Sequence, residues 1–105
     1  MAWIFLLVAG VFEIAWVISL RYTNGLTHIG WGIVSILNSI ASFYFLAQAI
    51  KTIPIGTGYA VWTGIGAVGT AILGIALFAE SAALPRLACM GLIVAGIIGL
   101  KLTST

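Results

Sequence analysis

An all-α membrane protein with four transmembrane helices is the fold class this 105-residue chain predicts, and three observations lead to it. The composition is 63% hydrophobic and 6% charged, with mean hydropathy +1.28. That leaves too few polar residues to cover a surface in water, so the solvent is lipid. Four apolar runs each approach the roughly 20 residues needed to cross the hydrocarbon. The breaks between them collect four of the six charges, both prolines and an Asn-Gly turn.

The first helix is expected over residues 3–20. MAWIFLL lacks the basic opening of a signal peptide, so this run reads as a helix that stays. RYTNGLTH (21–28) then supplies charge, a turn and the only histidine. Helix 2 follows at 29–49, and KTIPIG (51–56) ends it with Lys51 and Pro54. Helix 3 is expected at 55–79. AESAALPR (79–86) carries Glu80 and places Pro85 in the first turn of helix 4, at 84–101. Trp3, Tyr22, Trp31 and Tyr44 are candidate interfacial aromatics. The runs lack the alternation of a membrane β-barrel, and residues 1–105 read as a single transmembrane domain.

Several function classes drop out. Four Lys and Arg scattered singly make no basic patch, so a nucleic-acid partner is not expected. Cys89 is the only cysteine and reads as a packing residue; no Cys/His spacing suggests a metal or haem, and no cofactor is implied. An enzyme is not expected: there is no nucleophile–base pair, and His28 sits alone in a loop at headgroup level.

Parity puts loops 1 and 3 on one side of the membrane, and loop 2 with both termini on the other. Arg21 and Arg86 therefore oppose Lys51 and Lys101, with no Lys/Arg excess to fix orientation. A chain free to insert both ways can form an antiparallel, dual-topology homodimer. Four helices this short barely enclose a pathway, which also favours assembly. Gly91, Ala95 and Gly99 recur every four residues on helix 4, with Gly96 alongside, as a candidate dimer-packing row. Gly66, Thr70 and Gly74 form a similar row on helix 3, where packing within one subunit is the expectation.

Glu13, in GVFEIAWVISL (10–20), is one of only two acidic residues. It lies about 15 Å into helix 1, near the midplane. An acid there costs roughly 3 kcal/mol on insertion scales, and such residues mark pathways. Desolvation opposes its charged form and a nearby cation restores it, so Glu13 is suited to exchanging a proton for a cation. On its face lie Trp16 and Val17, with Ala9 and Gly10 leaving room one turn earlier. Helix 2 carries Ser35, Asn38, Ser39 and Ser42 on one side, and helix 3 carries Tyr59, Trp62 and Thr63. A carboxylate, hydroxyls, a phenol and indoles suit a small organic cation, through charge-assisted hydrogen bonds and ring contact. Spacing alone does not bring these three faces together.

The chain also resembles the small multidrug resistance transporter family, within its guanidinium exporter subtype. The likeness runs along nearly the whole chain and is carried by FEIAW (12–16), YTNG (22–25), SFYFLAQAIKTIPIGTGYAVWTGIGAVG (42–69) and GIIGLK (96–101). It implies an antiparallel homodimer in the bacterial inner (plasma) membrane, exporting guanidinium ions in exchange for protons by alternating access. By that resemblance Glu13 is the shared proton and substrate carboxylate, and Trp16, Ser42, Tyr59 and Trp62 order or line its site. The resemblance also makes Gly64 and Gly66 the place where helix 3 bends, and its helix 4 dimer contact agrees with the row Gly91, Ala95, Gly96 and Gly99; from spacing alone, Gly10, Asn38, Ser39 and Thr63 are expected in the surrounding pocket. NGLTH, Arg21, Asn38 and Ser39 depart from the subtype's usual pattern. A broader exporter of quaternary ammonium cations is the alternative within the family, and a non-transporting membrane subunit the alternative outside it.

Overall fold

The computed structural model describes residues 1–103, and every regular element among them is an α-helix. They are α1 (Ala2–Tyr22), α2 (Ile29–Ala49), α3 (Ile55–Phe78) and α4 (Leu84–Thr103). Helices of 20 to 24 residues rise about 30–36 Å, enough to span a hydrocarbon core of about 30 Å. All four are long and apolar enough to cross a membrane.

α1 continues past residue 20 because its last turn is anchored from outside. The Arg21 guanidinium lies 4.6 Å from the Phe78 ring centroid, and the Tyr22 ring stacks on Trp31 at 4.9 Å. Three elements thus meet in one aromatic cluster at a membrane face. Thr23 closes the helix: its buried hydroxyl donates to the Leu20 carbonyl (2.6 Å) and accepts from the Leu26 amide (3.0 Å). The chain then turns through Asn24, Gly25 and Leu26 at φ 51°, 75° and 71°, a left-handed run that glycine adopts freely at its centre. His28 caps α2, its Nδ1 accepting the Trp31 amide at 3.2 Å.

Two serines set the register of α1 against α2. Ser35 Oγ donates to the Trp16 carbonyl (3.1 Å) and Ser42 Oγ to the Ala9 carbonyl (2.7 Å), so equal steps on the two antiparallel helices are pinned together. α3 packs on the other side of α1 through glycines. A Cβ on Gly10 would meet Ile65 Cγ2 at 2.5 Å, and one on Gly69 would meet Ile14 Cγ1 at 2.6 Å, so the two backbones close to a separation no larger residue allows. The core lies along this seam: Leu6, Ala9, Ala49, Ile53, Val61 and Trp62, with Phe5, Phe45 and Ile65 against it.

α4 stands apart. At backbone-contact distance it meets only α3, and none of its residues is buried. It reaches α1 through Lys101, whose ammonium lies 5.2 Å from the Trp3 ring centroid. The described chain is therefore a slab of 44 × 34 × 17 Å, less than two helix diameters thick. It is an open layer of helices and not a closed bundle.

Candidate functional site

Glu13 lies midway along α1 and half-buried against α3, where it packs on the buried Gly66 at the middle of that helix. A Cβ at Gly66 would collide with Glu13 Cγ, in the middle of the side chain and not at its movable end. Glycine at 66 is the condition for a carboxylate at 13 to lie between the helices. Trp16, one turn on, donates its indole N–H to Glu13 Oε1. That bond orients the carboxyl group and leaves its other oxygen for a ligand. Among the described residues no cation lies within ion-pairing distance of Glu13; the one ion pair joins Arg86 to Glu80.

The carboxylate opens into a pocket of about 410 Å³ lined by Val17 of α1, by Thr63, Gly66, Ala67, Thr70 and Ala71 of α3, and by Glu80 and Arg86. An unpaired acid, a fixed indole and small residues are chemically suited to a compact cation with hydrogen-bond donors.

One turn away, buried Ser42 (0% exposed) joins α3 to α1. Trp62 Nε1 donates to its hydroxyl at 2.8 Å while the hydroxyl donates to the Ala9 carbonyl. Ala9 precedes Glu13 and Trp62 precedes Gly66 by the same helical step. The Ser42–Trp62 pair therefore holds the two helices one turn from the carboxylate and does not itself line the pocket. Tyr59 packs its ring against Trp62 (5.7 Å between centroids) but is 59% exposed, on the outside of the single subunit.

The polar row of α2 divides. Ser35 and Ser42 turn inward to α1, as described. Asn38 donates to the Val34 carbonyl (2.9 Å) and Ser39 to the Ile36 carbonyl (2.7 Å), so both are satisfied by their own helix. Ser39 lines a different crevice, of about 540 Å³, with Trp16, Leu20, Ile33 and Ile36. Thr63 reaches the Glu13 pocket, although its hydroxyl donates to the Tyr59 carbonyl at 2.8 Å. The space beside Gly10 is filled by Ile65 and is not open to a ligand.

Gly64 lies under α4, where a Cβ would meet Ile97 Cδ1 at 2.8 Å, and α3 runs as one helix through Gly64 and Gly66. On α4 the small row faces outward: nothing lies within 4 Å of a Cβ built at Gly91, Gly96 or Gly99, and Ala95 is exposed.

Five pocket residues escaped sequence reasoning as parts of this site: Ala67, Thr70, Ala71, Glu80 and Arg86. Glu80 and Arg86 read as charges of the break before helix 4, and Thr70 as part of a packing row. The available signal was the spacing of Gly66 and Gly74, two turns apart on one face of α3. Each admits one of the chain's two carboxylates, Glu13 on Gly66 and Glu80 on Gly74.

Residues 1–93 match the family described as Small Multidrug Resistance protein. Over 104 residues the chain is 56% identical to the guanidinium exporter of Yersinia pseudotuberculosis, covering 99% of this chain and 100% of that protein. Guanidinium exporters of Citrobacter freundii and Salmonella typhimurium are also 56% identical over 104 residues, covering 99% of both chains.

Proposed function

The chain belongs to the Small Multidrug Resistance protein family, and from that premise we propose that it exports guanidinium and small substituted guanidinium ions across the bacterial inner membrane in exchange for protons. It is a multi-pass membrane transporter and not an enzyme. The observation that carries the substrate reading is the Glu13 carboxylate: midway along α1, oriented by Trp16, without a cationic partner among the described residues, and open to the 410 Å³ pocket.

The coupling follows from competition for that group. A guanidinium presents planar N–H donors that a carboxylate accepts in pairs, and the bonds are strong because both partners are charged and the guanidinium is weakly hydrated. A protonated carboxyl offers no such attraction. If the site reorients with protons or with substrate but never with both, an inward proton gradient drives the cation out. The difference in substrate affinity between ionised and protonated Glu13 is the whole source of the drive.

We further propose that the working unit is an antiparallel homodimer with one Glu13 from each subunit. Three features support it: the level Lys/Arg count on the two membrane faces, the open slab only 17 Å thick, and the free small-residue row Gly91, Ala95, Gly96 and Gly99 on α4. In such a dimer the outward Tyr59 has a partner surface to complete. Alternating access then requires α3 to loosen at Gly64 and Gly66, both in tight contacts in this state.

The crevice beside Trp16 and Ser39, about 540 Å³ and largely apolar, favours a second reading, in which bulkier cations carry an alkyl or aromatic group into that space. Purified protein in liposomes distinguishes these readings through currents evoked by guanidinium, methylguanidinium and tetrapropylammonium. Guanidinium currents that require a proton-titratable Glu13, and so vanish in Glu13→Gln, are expected. Absence of any cation flux from wild-type protein would refute transport, and undiminished proton-driven uptake by Glu13→Gln would refute the coupling. Equal currents with tetrapropylammonium would favour the broader exporter.

A further inference from the structure

We propose that Glu80 and Arg86 form a guanidinium-exchange gate at the mouth of the Glu13 pocket, in which the Arg86 side chain occupies a staging carboxylate that incoming substrate must take over. The inference rests on the reading of Glu13 as the transport carboxylate and adds a second, earlier binding step.

The chain has only two acidic residues, and both line the same cavity. Glu80 is brought there by the end of α3. Ala79 turns the backbone left-handed (φ 54°), the Glu80 amide donates back to the Gly74 carbonyl at 3.2 Å, and the side chain folds over Gly74. A Cβ on Gly74 would meet Glu80 Cδ at 2.7 Å, so glycine there gives the carboxylate end of Glu80 its resting place against α3. From Gly74 to Gly66 the axis of α3 covers about 12 Å, which is the distance separating the two carboxylates along the helix. Thr70 lies halfway and lines the cavity, and its hydroxyl oxygen is buried with no hydrogen-bond partner among the described residues. A buried hydroxyl without a partner is costly; a shift of the cavity wall that exposes it to a cation between Glu80 and Glu13 supplies one.

The occupant of the outer carboxylate is itself a guanidinium. Arg86 Nη2 donates to Glu80 Oε1 at 2.7 Å and Nη1 to the Ser81 carbonyl at 2.7 Å. The pair is part-exposed, with side chains 33% and 42% accessible, so water and solutes reach it. An exposed pair of this kind is weak and exchanges readily. A free guanidinium ion offers the same donors in the same plane, so Glu80 discriminates little between tether and substrate. Arg86 then keeps the mouth closed at low substrate and yields as substrate rises. Its positive charge raises the barrier to cations crossing the mouth, in either direction, whenever it is not neutralised by Glu80.

The roles make opposite predictions for the two members of the pair, which a purely structural ion pair does not. Guanidinium association with reconstituted protein is measured by stopped-flow tryptophan fluorescence, and equilibrium affinity by titration. Glu80→Gln is expected to slow association about tenfold, the low end of what local charge does to cation capture. Arg86→Gln is expected to speed it, and both are expected to keep equilibrium affinity at Glu13 within about twofold, since a mouth scales entry and exit alike. Arg21→Gln removes the same charge at the same membrane face but outside the pocket, and is expected to leave the rate unchanged. A rate not lowered in Glu80→Gln, not raised in Arg86→Gln, or raised equally in Arg21→Gln overturns the gate. Wild-type binding that depends on Glu13 alongside such a result keeps the transport reading and removes only the gate; wild-type protein that binds no guanidinium removes both.

Discussion

Removing the Ser42 hydroxyl is the most informative perturbation of the scaffold around Glu13. Ser42 is fully buried, accepts from Trp62 Nε1 at 2.8 Å and donates to the Ala9 carbonyl at 2.7 Å. Ser42→Ala removes one oxygen atom and hardly changes the volume. It leaves the indole N–H of Trp62, a residue 8% exposed, without an acceptor. A buried donor stranded this way costs about 1–3 kcal/mol. Hydrogen bonds between membrane helices average only about 0.6 kcal/mol, because the unfolded chain in lipid also finds partners. The expected loss is therefore about 1 kcal/mol. Trp62→Phe should cost a comparable amount in lost packing and hydrogen bonding, while Ser42 keeps its bond to Ala9. The double variant strands no indole, so its loss should fall short of the sum by about 0.6–1 kcal/mol. Denaturation in mild detergent followed by circular dichroism measures all four proteins. Strict additivity within about 0.3 kcal/mol would show that the bond does not couple α2 to α3, and would refute the scaffold reading.

Two further perturbations test the site and the assembly. Gly66→Ala introduces a methyl group into the Glu13 side chain, so Glu13 should leave Trp16 and guanidinium affinity should fall about tenfold, reported by titration and a changed Trp16 emission. Unchanged affinity would mean that the carboxylate position is not set by α3. A Cβ at Gly96 meets nothing within 4 Å in the subunit, so Gly96→Leu should keep helical content while the dimer weakens; a cross-linked dimer yield equal to wild type would remove α4 from the interface.

Much of this protein is legible in its sequence, and the rest is hidden for a definite reason. Hydrophobic length is a property of one segment at a time, so four spans can be counted without knowing how they pack. Depth is local as well: counting residues from the start of α1 places Glu13 at the midplane and marks its cost. The facing of each helix is different, because these helices are apolar nearly all round and no single stripe announces the buried side. The α2 row shows the consequence. Ser35, Asn38, Ser39 and Ser42 share one side by spacing, yet two of them bond to α1 and two to their own backbone.

By itself, then, the sequence determined a four-span membrane protein with one carboxylate at the centre of the bilayer, and its motifs named the family. Only the tertiary structure decided that Ile65 fills the space at Gly10, that Ser42 and Trp62 clamp the helices beside Glu13, and that Glu80 and Arg86 stand over the same pocket. Those relations depend on how far each helix is rotated about its own axis. Rotation is set by glycine contacts and a few hydroxyl bonds between helices, which become visible only when both partners are in place.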